Sequence, residues 1–199
     1  MKIVVICEGA TEAALQQGLR DFVQGHLAGE KRVGVATRSL NGPTIRRKLD
    51  RVARNLLEQD DVVGVVALSD VYPNYKSATD TKDALRRYAG SADKNPNFRA
   101  HAAQFEVEAW ILPFWNEIAK QLNVSAASPG ANPEQVNGQK PPSHHLKELF
   151  RRAKREFDKV LDGPRWLKSE RLATAAGHCP ELKSFLNSLL ELAGADKLT

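Results

Sequence analysis

At 199 residues, with 42% hydrophobic and 27% charged side chains, the chain can build one sizeable core and is a tight fit for two. No apolar run approaches the roughly 20 residues needed to cross a bilayer, which excludes a membrane-spanning protein. The N-terminal apolar run ends in an acid and is too short for a signal peptide. With only Cys7 and Cys179 present, reduced, buried thiols and a cytoplasmic location are expected.

The first segment, Lys2 to Cys7, is a continuous β-branched run, which predicts a strand buried on both faces of a parallel sheet. Gly9 ends it, and Ala14, Leu15, Leu19, Phe22, Val23 and Leu27 recur at helical spacing. A second strand is expected at about 33–39, an Asn41-Gly42-Pro43 turn, a helix at about 44–59, and a third strand at 62–68 that leads into Asp70. This alternation implies parallel strands joined by right-handed crossovers. A helix at 79–88 and a fourth strand at 98–103 complete the sheet. Val107 to Leu122 forms a helical stripe that Pro113 should kink or divide. Residues 124–142 are rich in Ser, Ala, Pro, Gly and Asn and read as a surface loop, and three helices follow near 143–156, 166–176 and 180–193. The expected organisation is thus an α/β core over 1–123, a loop over 124–142 and a basic helical extension over 143–199 packed on the core.

The formal charge of +5 is concentrated. Between Lys140 and Arg171 ten basic residues face five acids, an excess equal to the net charge of the whole chain. Lys147, Arg151, Arg152, Arg155 and Lys159 are the candidates for contacts with nucleic-acid phosphates. The same pattern also describes a solvated helix face laced with ion pairs.

Ligands of an open parallel sheet bind outside the carboxyl ends of the strands, near the point where strand order reverses. Glu8 and Asp70 occupy those ends. Two carboxylates at neighbouring strand tips repel unless a cation lies between them, and hard oxygen ligands select Mg²⁺ or Mn²⁺. Alternatively, each acid caps the turn that follows it. Glu106 and Glu108 follow the fourth strand and can reach the same edge, both together only if the chain is extended there, and otherwise Glu106 alone. Both also suit a helix start. His144-His145 diverge on a helix and lack the partners of a zinc set. No phosphate-binding glycine loop and no Gly-x-Ser-x-Gly elbow is present.

Glu8-Gly9-Ala10-Thr11-Glu12, followed by Asp70-Val71-Tyr72-Pro73, resembles a Toprim-type domain, in which strand-end acids hold Mg²⁺. Four further segments, Phe105–Trp110, Pro133–Asn137, Pro142–Leu146 and Phe157–Gly163, resemble in order the bacterial domain-of-unknown-function family 4276, so the likeness covers nearly the whole chain. It implies a Toprim-like open parallel sheet of about four strands flanked by helices, with a C-terminal helical extension. It also implies a metal site at Glu8, Asp70, Glu106 and Glu108, with Glu8, Asp70 and Glu106 catalytic and Thr11, Glu12 and Tyr72 beside them. Tyr72 stands where a Toprim site usually carries a second Asp. The function implied is a Mg²⁺- or Mn²⁺-dependent nuclease acting on nucleic acid, as effector partner of an ATPase in phage defence. The alternative is a non-catalytic module binding nucleic acid or a protein partner. The sequence leaves room for a homo-oligomer.

Overall fold

The apolar N-terminal run forms β1 (Lys2–Cys7) of a computed structural model that describes residues 1–42, 44–136 and 140–199. Pro43 of the expected turn, and Asn137, Gly138 and Gln139 of the long loop, lie outside the described residues. From β1 the chain passes through α1 (Ala10–Ala13) and α2 (Gln16–Gly25) to β2 (Gly34–Ser39) and α3 (Thr44–Leu57). It continues through β3 (Val62–Asp70), α4 (Ala78–Ala89) and β4 (Phe98–Ala103). A 3₁₀ segment, Val107–Phe114, then runs into α5 (Trp115–Gln121). Four helices follow: α6 (Pro142–Arg152), α7 (Lys159–Trp166), α8 (Ser169–Ala176) and α9 (Pro180–Ala193).

The strands are all parallel in the order β2-β1-β3-β4. Because β1 pairs with β2 on one side and β3 on the other, the winding reverses between β1 and β3. The crevice that such a reversal opens lies beyond Cys7 and Asp70, between the two acids singled out in the sequence. Both faces of the sheet are apolar and both are covered. Ile3, Val5, Val66 and Leu68 point to one side, where they share a core with Phe22 of α2, Leu172 of α8 and Phe185 of α9. Val4, Ile6, Val65 and Ala67 point to the other, against Leu49 of α3 and Leu85 of α4. Full burial on both faces is why the strands read as unbroken hydrophobic runs rather than alternating ones. Cys7 and Cys179 are free and buried within these cores.

Two local features depart from the sequence reading and a third agrees with it. The first helix is split, because the chain is capped at Ala14 and starts again at Gln16. Pro113 lies at the end of the 3₁₀ segment, and the α-helix begins two residues later at Trp115, so the division expected from its missing donor is present. The basic extension holds four helices rather than three. The helix expected to reach residue 156 ends at Arg152, and Lys154 takes a left-handed φ of 55°. Asp158 then starts α7 by accepting from the backbone N–H of Val160 at 2.8 Å and Leu161 at 3.0 Å. That cap carries the helix through Gly163-Pro164, in the stretch between the helices expected near 143–156 and 166–176.

The extension is locked to the core at Gly18 on α2. A Cβ at this position would lie 2.4 Å from the carbonyl oxygen of Leu167, and a backbone atom cannot yield as a side chain can. Gly18→Ala should therefore destabilise the protein by about 1–3 kcal/mol, as over-packing does. Gly25→Ala, at the end of the same helix and with nothing within 4 Å, should be neutral or stabilising by about 0.5–1 kcal/mol. Chemical denaturation of both variants checks this, and equal effects would show that α2 and the extension are not in rigid contact.

Candidate functional site

Five carboxylates gather at the carboxyl edge of the sheet. Glu8 follows β1 directly, and its Oε2 accepts a 2.6 Å hydrogen bond from the hydroxyl of Ser69, a fully buried residue near the end of β3. Asp70 ends β3, and its Oδ1 accepts from the backbone N–H of Val107 at 3.0 Å. That bond ties the start of the 3₁₀ segment to the third strand. Glu106 precedes the segment with extended backbone (φ −146°, ψ 156°), so the two-residue alternation of an extended chain brings Glu106 and Glu108 to one side. Lys159 Nζ confirms this by reaching both, 3.2 Å from Glu106 Oε1 and 3.0 Å from Glu108 Oε1. The second oxygen of Glu106 accepts from the backbone N–H of Ser143 at 2.9 Å, at the first turn of α6. Glu12, on α1, is 5% exposed and packs against Gly9, where a Cβ would come within 2.8 Å of its Oε2.

Negative charge here exceeds positive, and the acids respond. Burial pushes the Asp70 carboxyl well above the usual carboxylate range, and Glu12, Glu108 and Glu106 raise it further while Lys159 opposes them. Burial likewise raises Glu12, with the charges of Glu108 and Glu8 adding to it. Glu108 is raised by burial more than Lys159 lowers it. For Lys159 itself, burial works against the charged ammonium, but Glu108 and Glu106 outweigh it and the group titrates above its ordinary range. Cys7 beside the crevice is pushed up to about 12 by burial and by Glu12, so its thiol stays protonated.

The crevice thus collects Glu8, Asp70, Glu106 and Glu108, the four acids expected to meet, together with Glu12. The sequence placed Glu12 only beside the site. Its place in the first turn of the helix that follows the strand-end Glu8 and Gly9 was the signal that it could face the same edge. Lys159 also belongs to the crevice rather than to the exposed basic face on which it was grouped with Lys147, Arg151, Arg152 and Arg155. Of those four, Arg151 lies 4.0 Å from Glu148, and Arg152 donates to the carbonyl of Ser125 at 3.4 Å. Thr11 is partly buried on α1, and Tyr72 is 45% exposed. The capping alternative holds for one oxygen of Asp70, which caps the 3₁₀ segment rather than the turn that follows its own strand. It does not hold for Glu8, since α1 has no side-chain cap. His144 lies 3.5 Å from Glu148, away from any metal set. Among the described residues, no three His, Cys, Asp or Glu side chains converge closely enough to hold a metal ion as they stand.

The family model described as "Domain of unknown function (DUF4276)" matches residues 7–190, a span that includes every acid of the crevice and Lys159. The chain belongs to this family. Among solved structures it is similar to the C-terminal region of the Burkholderia pseudomallei OLD protein. That match has 15% sequence identity and a TM-score of 0.51, covering 96% of this chain and 98% of that one. The C-terminal region of the Xanthomonas campestris pv. campestris OLD protein matches with 14% identity and a TM-score of 0.44, over 96% of this chain and 93% of that one. No curated protein matches the chain. At this identity the first likeness establishes fold: a Toprim-like parallel α/β sheet with C-terminal helices.

The raised carboxyls make a pH prediction. A carboxyl that binds its proton more tightly in the folded chain than in the unfolded one stabilises the fold while protonated, and that contribution is lost as the pH climbs through its folded range. Lys159 is shifted upward, so its contribution is constant below its ordinary range and lost only at higher pH. Between about pH 5 and pH 8 the acids should therefore lower the melting temperature in a metal chelator, while His101, whose imidazole burial pushes down to about 4, works the other way below about pH 7. Asp70→Asn, which retains an oxygen for Val107 N–H, should melt about 2–4 °C above the wild type at pH 8 and close to it at pH 5. A Tm difference between Asp70→Asn and the wild type that is the same at pH 5 and pH 8 would show that the acids are already compensated.

Proposed function

We propose that the crevice is the Mg²⁺ or Mn²⁺ site of a Toprim-type phosphodiesterase that acts on nucleic acid. The observation that carries this reading is the excess of buried carboxylate over cation at the switch point of the sheet. Among the described residues, Glu8, Asp70, Glu12, Glu106 and Glu108 face one ammonium, that of Lys159, and burial drives Asp70, Glu12 and Glu108 upward. A set of hard, anionic oxygens short of positive charge fits a divalent cation of this class. Glu8, Asp70, Glu12 and Glu108 are the acids placed to hold it, because Glu106 is already engaged by Ser143 N–H and Lys159. The cation would supply charge neutralisation at a scissile phosphodiester and activation of water.

The chain's own residues prepare that site. The Ser69 hydroxyl orients Glu8, the Val107 N–H holds one oxygen of Asp70 and leaves the other free to turn to a ligand, and Lys159 holds Glu106 and Glu108 side by side. Positive charge on α6 and the turn after it, at Lys147, Arg151, Arg152 and Arg155, suits a polyanionic substrate.

Mn²⁺ at a hundredfold excess over its Kd should stabilise the wild type by about 2.7 kcal/mol. Asp70→Asn and Glu8→Gln should each reduce that shift and lower cleavage of DNA or RNA at least a hundredfold. A shift equal in all three proteins, or absent from all three, would sink the assignment. A second reading, a non-catalytic nucleic-acid-binding module, is favoured by the lack of three convergent ligands among the described residues and by the ion pairing of Lys159. It expects binding without cleavage and no response to Mn²⁺, so the same experiment separates the two.

A further inference from the structure

Away from the crevice, a cavity of about 340 Å³ opens between α5, α6, α7 and α8. Arg155, Arg165, Lys168 and Arg171 line it, over a floor that includes Phe150 and Trp166. The one acid in the lining, Asp162, is occupied: it accepts from the backbone N–H of Asp158 at 2.9 Å and lies 3.3 Å from Arg165. Among the described residues, Arg155 and Lys168 make no ion pair. Arg155 lies over the ring of Phe150, 5.7 Å from its centroid.

Arg171 is the most telling member. Its guanidinium lies 4.6 Å from the ring centroid of Trp166 and 5.0 Å from that of Phe114, and Glu117 holds one edge of the fork at 3.0 Å. The other terminal nitrogen, Nη1, is buried and has no hydrogen-bond partner. A buried donor on a charged group is ordinarily satisfied, and an exception calls for a reason. A guanidinium stacked on two rings and partly exposed, with three further cations lining the same cavity, has the form of a phosphate receptor, because the planar fork matches phosphate oxygens.

We propose that this cavity is a subsite for a nucleotide phosphate, and that the nucleotide belongs to the strand whose backbone reaches the carboxylate crevice. The link is α7, which carries Lys159 into the crevice at its start and Arg165 and Trp166 into the cavity at its end. Seven residues of helix span about 10 Å. That distance is about three nucleotides along one strand of a duplex. The subsite rests on the nucleic-acid reading given above but uses none of its carboxylates.

Isothermal titration calorimetry on the full chain in EDTA, with inorganic phosphate, thymidine 5′-monophosphate and a thymidine tetranucleotide, tests it. The tetranucleotide should bind best, and the double substitution Arg165→Gln, Lys168→Gln should weaken it at least tenfold. The double substitution should also flatten the log–log salt slope by about 0.7, the share of one single-strand phosphate. Arg171→Lys keeps the charge but loses the stacked fork, and should weaken binding comparably. Arg165 and Lys168 are largely exposed, so the double variant remains a fair test even if Arg171→Lys does not fold. Equal affinity for the monophosphate and the tetranucleotide, both lost in the double variant, would support the phosphate site while assigning it to a free nucleotide. Wild-type affinity in the double variant, or no binding by the wild type, would overturn the proposal. Binding in EDTA does not draw on the crevice's cation, so its loss in the double variant reports on the cavity, whereas the Mn²⁺-induced stability shift of Asp70→Asn without nucleotide reports on the crevice.

Discussion

Carboxylates taken out of water need a cation or a proton, and at the carboxyl edge of this sheet they have one ammonium among five. Much of the local architecture follows from that shortage. Lys159 must come from α7, a helix distant in sequence, and it can reach Glu106 and Glu108 together only because the backbone is extended at Glu106 before the 3₁₀ segment tightens. The ion pair therefore ties the C-terminal helices to the functional edge of the sheet. A buried pair of this kind is weak evidence of net stability, since desolvation opposes the Coulomb gain. Its value lies in fixing where α7 sits.

Distant acids also start several of the later elements. Asp70 caps the 3₁₀ segment, Glu106 caps α6, and Glu134 accepts from the N–H groups of Glu181 and Leu182 at the head of α9, at 3.0 and 3.4 Å. Each satisfies donors that a helix start leaves open. These caps connect protonation to structure: an acid that loses its charge caps less well, so the crevice and the helices around it share one electrostatic balance. The thiols take no part, because burial keeps both Cys7 and Cys179 protonated.

The second concentration of charge lies at the other end of α7 and has the opposite sign. A short helix with an ammonium at its first residue, aimed at acids, and a guanidinium and an indole near its end, aimed at a basic cavity, joins two surfaces of complementary character. That arrangement suits a polyanion that presents phosphate to the cations and brings a divalent ion's ligands into play further along. The rigid stack of Phe114, Trp166 and Arg171 sets the cavity geometry without relying on loop order.

Sequence alone was enough for the sheet and for the acids at its carboxyl edge. Apolar runs rich in β-branched residues at 2–7 and 62–68, each ending near an acid and separated by amphipathic helices, admit few arrangements other than parallel strands with Glu8 and Asp70 at their carboxyl ends. Burial on both faces writes itself into every residue of such a strand. The order β2-β1-β3-β4, which puts those two ends side by side, came from the tertiary structure. So did the true company of Lys159. On paper it is one of ten basic residues between Lys140 and Arg171, and nothing local distinguishes a lysine facing solvent from one facing two acids fifty residues earlier. The start of α7 at Asp158, and with it the direction of Lys159, depends on a cap overriding a Gly-Pro pair that looks like a break. Glu12, Arg171 and the cavity share that fate, because their roles are set by neighbours from other elements. Hydrophobic periodicity is local and survives in sequence, whereas the pairing of charges depends on which distant segments the fold brings within a few ångströms.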